Sequence, residues 1–147
     1  ACVDLPLQQF KSPEELDKLA EADKSYRKWF IDTAKKYFAE QGKIPEVYNA
    51  PFAVWQFGED LTLVGYSGET LVDYAKFAER DLGPLKLWVA GYCNDLYGYL
   101  PSARVLAEGG YETRGLYVDA GLFAPEVEEV VMDTIERLAR QAGRPAK

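Results

Sequence analysis

A chain of 147 residues is the length of one domain, and it is long enough to bury a core without disulfide or metal staples. Hydrophobic residues at 48% and charged residues at 28% exclude a disordered or low-complexity chain, while a net charge of −7 argues against a nucleic acid or an anionic membrane surface as partner. The absence of histidine excludes a Ser-His-Asp or Cys-His catalytic unit, and any histidine-ligated metal site, within this chain alone.

No apolar run nears the roughly 20 residues needed to span a bilayer, so no transmembrane segment is expected, and the first residues lack the basic-then-apolar layout of a signal peptide. The chain opens on Ala1, and its one methionine, Met132, lies in the last helical pattern. It therefore reads as a piece or processed form of a longer protein. Cys2 and Cys93 have no metal-ligand spacing and read as two buried thiols, with a single bridge as the alternative.

In chain order, Cys2 to Leu7 is short, partly alternating and interrupted by Pro6, which suits an edge strand. Ser12-Pro13-Glu14-Glu15 supplies an N-cap, a first-turn proline and a capping-box glutamate. Leu16, Leu19, Ala20, Tyr26, Trp29, Phe30, Ala34, Tyr37 and Phe38 follow at helical spacing, predicting one long helix from Ser12 to Gln41 that buries Trp29 and Phe30. Ile44 to Pro51 reads as a proline-bearing connection. Phe52 to Phe57 and Leu61 to Tyr66, separated by Gly58-Glu59-Asp60, predict a hairpin.

At Ser67-Gly68-Glu69-Thr70 the pattern turns helical, with Leu71, Tyr74, Ala75, Ala78 and Leu82 before the stop at Gly83-Pro84. Leu85 to Ala90 reads as a buried strand running into a loop from Gly91 to Pro101. A short helix over Ser102 to Glu108 ends at Gly109-Gly110, Tyr111 to Ala120 is irregular, and Ala124-Pro125-Glu126 opens the last helix. The order predicts an α/β fold with helices packed on a small mixed sheet.

Two features could carry chemistry. Glu69 is expected in the opening turn of a helix just past a strand, where unpaired N–H groups favour an ionised carboxylate fit for a metal, although glutamate is common in such turns. The Gly91 to Pro101 loop gathers Tyr92, Asn94, Asp95, Tyr97 and Tyr99 at a strand end, where ligand sites are built. Asn94-Asp95 could equally be a plain turn, and the tyrosines packing groups.

Gly68-Glu69-Thr70-Leu71-Val72, then Leu87 to Asp95, Gly98-Tyr99-Leu100-Pro101-Ser102 and Glu108-Gly109-Gly110-Tyr111-Glu112 resemble, in order, the C-terminal part of neutral/alkaline non-lysosomal ceramidase-like proteins. Val3 to Leu7 and the hairpin are similar to the shorter, secreted-type bacterial members. The resemblance departs at Thr70-Leu71-Val72, where those enzymes carry two consecutive hydroxyl residues after the glutamate. It implies a zinc ion held by two histidines, a glutamate and a tyrosine, serving hydrolysis of the amide bond of an N-acyl sphingoid base. By motif position the glutamate ligand falls on Glu69 and the tyrosine ligand on Tyr99. The histidines belong to an earlier part of the family's domain, so the resemblance implies that the N-terminal remainder of the same protein completes the site. It also implies a lipid amide substrate and a secreted or periplasmic location, with this chain alone inactive. The contrasting expectation is a non-catalytic α/β interaction or ligand-binding module.

Overall fold

The hairpin forms where its turn chemistry places it. β3 (Ala53–Phe57) and β4 (Leu61–Gly65) pair antiparallel, Phe57 against Leu61, around a turn in which Gly58 takes φ +56°. β6 (Leu87–Ala90) lies parallel to β4 on its other side, Leu63 beside Trp88, and α3 (Val72–Leu82) is part of the crossover between them. The computed structural model describes residues 1–22 and 28–144, and within them the fold is α/β, helices packed with small sheets of mixed sense.

Strand alternation decides what this sheet buries. Val54, Val64 and Val89 form one row and enter the main core with Val131 and Ile135 of α5 (Val127–Ala142). The adjoining row, Trp55, Leu63 and Trp88, faces the other way, with Trp55 43% and Trp88 63% exposed. The strand expected over Leu85 to Ala90 is shorter, Leu87–Ala90, and half-buried on one face rather than buried, with Leu87 and Val89 against the main core.

β1 (Cys2–Pro6) pairs antiparallel with β2 (Val47–Pro51), which corrects the reading of residues 44–51 as a connection. Hydrogen-bonded pairs alternate along the ladder from Ala1 and Phe52, which exchange both bonds. Pro6 and Pro51 therefore fall where the backbone turns away from the partner strand, and neither missing N–H costs a ladder bond. Cys2 is exposed, Cys93 half-buried, and both are free thiols, so neither buried thiols nor a bridge describes them.

The helix expected from Ser12 to Gln41 is two helices, α1 (Pro13–Ala22) and α2 (Lys28–Gln41), packed together; residues 23–27, Tyr26 of the expected stripe included, lie outside the described residues. Lys35 Nζ reaches Asp17 Oδ1 at 2.5 Å. In one straight helix the 18 positions between them would span about 27 Å. Leu16 of α1 and Phe30, Ile31 and Ala34 of α2 close a second core with Ile44, Ala120 and Leu122. Phe30 is buried as expected, but Trp29, a step of about 100° around the helix, is 44% exposed.

α4 (Ala103–Glu108) starts where Ser102 Oγ accepts the Val105 N–H, and the same hydroxyl donates to Asp73 Oδ2 at 2.6 Å. Arg104 adds its guanidinium to both Asp73 oxygens, so one buried carboxylate ties α3 to α4. Beyond α5, Arg144 donates to the Leu82, Gly83 and Leu85 carbonyls and closes the C-terminal end of α3. Among the described residues no helix is long and apolar enough to cross a membrane.

The Ser102 hydroxyl, followed by Arg104, holds the Asp73 carboxyl below its usual range. Depression of a carboxyl pKa on folding gives stability that is full above about pH 5 and lost as pH falls through the folded value. Asp73→Ala is expected to cost about 2 kcal/mol at pH 7, by urea denaturation, and the gap from the parent sequence should narrow at pH 3.

Candidate functional site

The site rests on backbone stitching. β5 (Glu69–Thr70) pairs parallel with β7 (Tyr99–Leu100), placing Glu69 opposite Tyr99 and Thr70 opposite Leu100. The Glu69 N–H donates to the Gly98 carbonyl at 2.7 Å, Gly68 N–H to Asp95 at 2.9 Å, Tyr92 N–H to Gly68 at 2.9 Å and Cys93 N–H to Tyr66 at 2.8 Å. The loop from Gly91 to Gly98 is thereby laid along residues 66–69 by backbone hydrogen bonds.

Glu69 is not in the first turn of a helix, as its neighbours had suggested. It opens β5, and α3 begins three residues later at Val72, behind Leu71, which makes no side-chain cap bond. The cap-like Ser67-Gly68-Glu69-Thr70 is taken up by pairing with the distant Gly98 to Leu100 segment, so the helix dipole does not orient this carboxylate. Two phenols stand beside it instead: Tyr92 and Tyr99 both lie close enough to Glu69 for its charge to raise them.

Burial, then the Glu69 charge, pushes the Tyr99 phenol up to about 12, so at neutral pH it is a protonated donor. The Tyr92 phenol is raised chiefly by the same Glu69 carboxylate. Tyr111 and Tyr117 wall the Tyr99 ring edge-on, with centroids at 5.7 and 6.3 Å, and the Arg114 guanidinium stands 5.6 Å over Tyr111. Tyr92 and Tyr111 are 59% and 51% exposed, giving the cluster an aromatic, solvent-facing rim.

Tyr92 reaches Glu69 from a backbone at φ +58°, a left-handed conformation costing a bulky residue about 1–2 kcal/mol. Asn94 follows at φ +68°. Two consecutive direction changes within three residues turn Tyr92 back over residues 68–69. Of the other loop residues singled out in the sequence, Tyr97 is fully buried, its hydroxyl donating to the Ser67 carbonyl at 3.1 Å. Asp95 accepts from the Tyr48 hydroxyl at 2.9 Å, and burial followed by this bond pushes the Tyr48 phenol up to about 12. Tyr97 and Asp95 anchor the loop; Tyr92 and Tyr99 face the carboxylate.

Tyr111, Tyr117 and Arg114 have no signal of their own in the sequence. They reach the site because the irregular segment after α4 crosses β7, the Tyr117 N–H donating to the Tyr97 carbonyl at 2.6 Å. Among the described residues no three acidic, cysteine or histidine side chains converge as a metal site would require. Compared with protein-family models, with curated proteins and with solved structures, the chain gives no match.

Gly68 is the position this geometry constrains hardest. It takes φ +72°, and a Cβ there would lie 2.7 Å from the Tyr97 ring, with the Gly98 carbonyl oxygen at 3.0 Å. Gly58 shares the sign of φ but faces open space. Gly68→Ala is expected to destabilise by about 3 kcal/mol or more in urea, against about 1 kcal/mol for Gly58→Ala, because only the first adds a clash to the backbone strain.

Proposed function

We propose that this chain is the C-terminal portion of a zinc-dependent, ceramidase-like hydrolase acting on the amide bond of N-acyl lipids. In this reading Glu69 and Tyr99 are two zinc ligands, and histidines in the N-terminal remainder of the protein supply the others. The observation that carries it is the register of β5 and β7, which sets Glu69 beside Tyr99, near enough for the carboxylate charge to raise the phenol. Two ligands that each sit roughly 2 Å from one ion need such neighbouring positions.

Bound zinc would lower the pKa of water toward neutrality and polarise the amide carbonyl. The chain's own groups have separate work. Glu69 supplies a carboxylate with the Tyr92 phenol close beside it, and a hydrogen bond on its outer side is what keeps a ligating carboxylate's geometry. Tyr99 would ligate as a phenolate, giving up the proton that burial and the Glu69 charge keep on it in the folded chain. The exposed rings of Tyr92 and Tyr111 offer an apolar body with a polar tip, suited to an amphipathic amide.

In the full-length parent, Glu69→Ala is expected to abolish hydrolysis of a ceramide and to release zinc. Tyr99→Phe should lower kcat by about a hundredfold with a smaller change in KM. This chain by itself should bind zinc more weakly than micromolar in calorimetry, since two oxygen ligands leave the coordination half built. Sub-micromolar affinity of the isolated chain would place the site on other residues. A parent whose zinc content and hydrolysis survive Glu69→Ala would turn the reading toward a non-catalytic ligand-binding module.

A further inference from the structure

Among the described residues no strand pairs with the outer edge of β3, and the ladder of β1 leads into it. Ala1 and Phe52 exchange both backbone hydrogen bonds, the Ala1 ammonium donating to the Phe52 carbonyl at 2.6 Å and the Phe52 N–H to the Ala1 carbonyl at 2.7 Å. This pair continues the register of Cys2 against Pro51. Phe52 joins β2 directly to β3, so a strand extending β1 backwards would run antiparallel along β3.

The hydrogen-bonding parity of β3 fits such a strand. The Thr62 and Tyr66 N–H groups donate to Lys86 and Ala90, on the β6 side of β4. Leu61, Leu63 and Gly65 therefore turn toward β3 and bond Phe57, Trp55 and Ala53. Val54 and Gln56 are left with N–H and C=O pointing outward, the same parity as Phe52, whose groups hold Ala1. β3 ends the order β3-β4-β6, and none of its residues, Ala-Val-Trp-Gln-Phe, is a charge or proline of the kind that blunts a sheet edge.

We propose that the edge of β3 is a strand-addition site, filled by the polypeptide segment that leads into Ala1 in the parent protein. This rests on the reading above that an N-terminal remainder exists. Counting from the Ala1–Phe52 pair, the second and fourth residues before Ala1 exchange hydrogen bonds with Val54 and Gln56, and the third stands beside Trp55. The addition joins the β1–β2 ladder to the three-stranded sheet in one surface, linking the missing part of the domain to the sheet whose end carries Glu69 and Tyr92.

Amide hydrogen exchange tests this without reference to metal. In the chain beginning at Ala1, the Val54 and Gln56 amides should exchange close to the unprotected rate. In the full-length parent they should slow by about a hundredfold or more, while Leu87 and Val89 on the far edge of β6 report whether protection is specific to β3. Proline at the second and fourth positions before Ala1 removes the two donors and should return Val54 and Gln56 to fast exchange. Slow exchange at Val3 and Leu5 would show that the β1–β2 ladder remains folded. Equal exchange in the two chains, protection that survives both prolines, or protection arising equally on β6 would overturn the proposal. Because zinc content is a separate measurement, a parent that protects β3 yet binds no zinc would refute the catalytic reading and leave the strand site standing.

Discussion

Two residues of parallel pairing, Glu69 with Tyr99 and Thr70 with Leu100, set the geometry on which the candidate site depends. A ladder that short has little stability of its own. It persists because both of its strands are pinned from behind. On one side Gly68 admits the Tyr97 ring, which fills the space a Cβ would need and bonds Ser67. On the other, Ser102, two residues beyond the ladder, is held by the buried Asp73 of the helix that follows β5. The polar contacts at the surface are therefore a consequence of packing beneath them, and the oxygen of Tyr99 is delivered to Glu69 by the core.

The same arrangement explains the strained backbone in the loop. With its neighbouring N–H groups committed to residues 66–69, the chain must reverse within a few residues to reach Tyr97, and Tyr92 and Asn94 make that reversal in left-handed conformations. Asn94 tolerates this locally, but a tyrosine does not gain by it. What the strained φ brings is the Tyr92 phenol beside the half-buried Glu69 carboxylate, whose other phenolic neighbour is Tyr99.

Much of the architecture could be read from local pattern, and the errors share one physical origin. The β3–β4 hairpin, the short helix after Ser102 and the last helix, which begins at Val127 just past Ala124-Pro125-Glu126, were readable because a turn or helix start is decided by adjacent residues. Periodicity over residues 13–41 could not distinguish one helix from two that pack together, since both put the same residues on an apolar stripe. Glu69 looked like a helix residue because Ser67 and Gly68 form a plausible cap, and its true partner lies thirty positions away. Trp88 looked buried because an apolar run does not say how many of its faces are covered. At the site, Glu69 and Tyr99 were singled out by the resemblance and Tyr92 as one tyrosine of a loop. Tyr111, Tyr117 and Arg114 arrive through an irregular segment whose path no local rule predicts.

Because Glu69 and Tyr99 are paired through the backbone, the site differs in kind from one that a metal must organise. A structural zinc gathers ligands that are dispersed in its absence, and its binding energy is folding energy. Here the two residues are already together in the folded chain, with the ordering entropy met by burial of Tyr97 and Leu100 and by the Asp73 network. A bound ion would not have to supply that ordering. It would instead have to displace a proton, since burial and the Glu69 charge keep the Tyr99 phenol protonated in the folded chain.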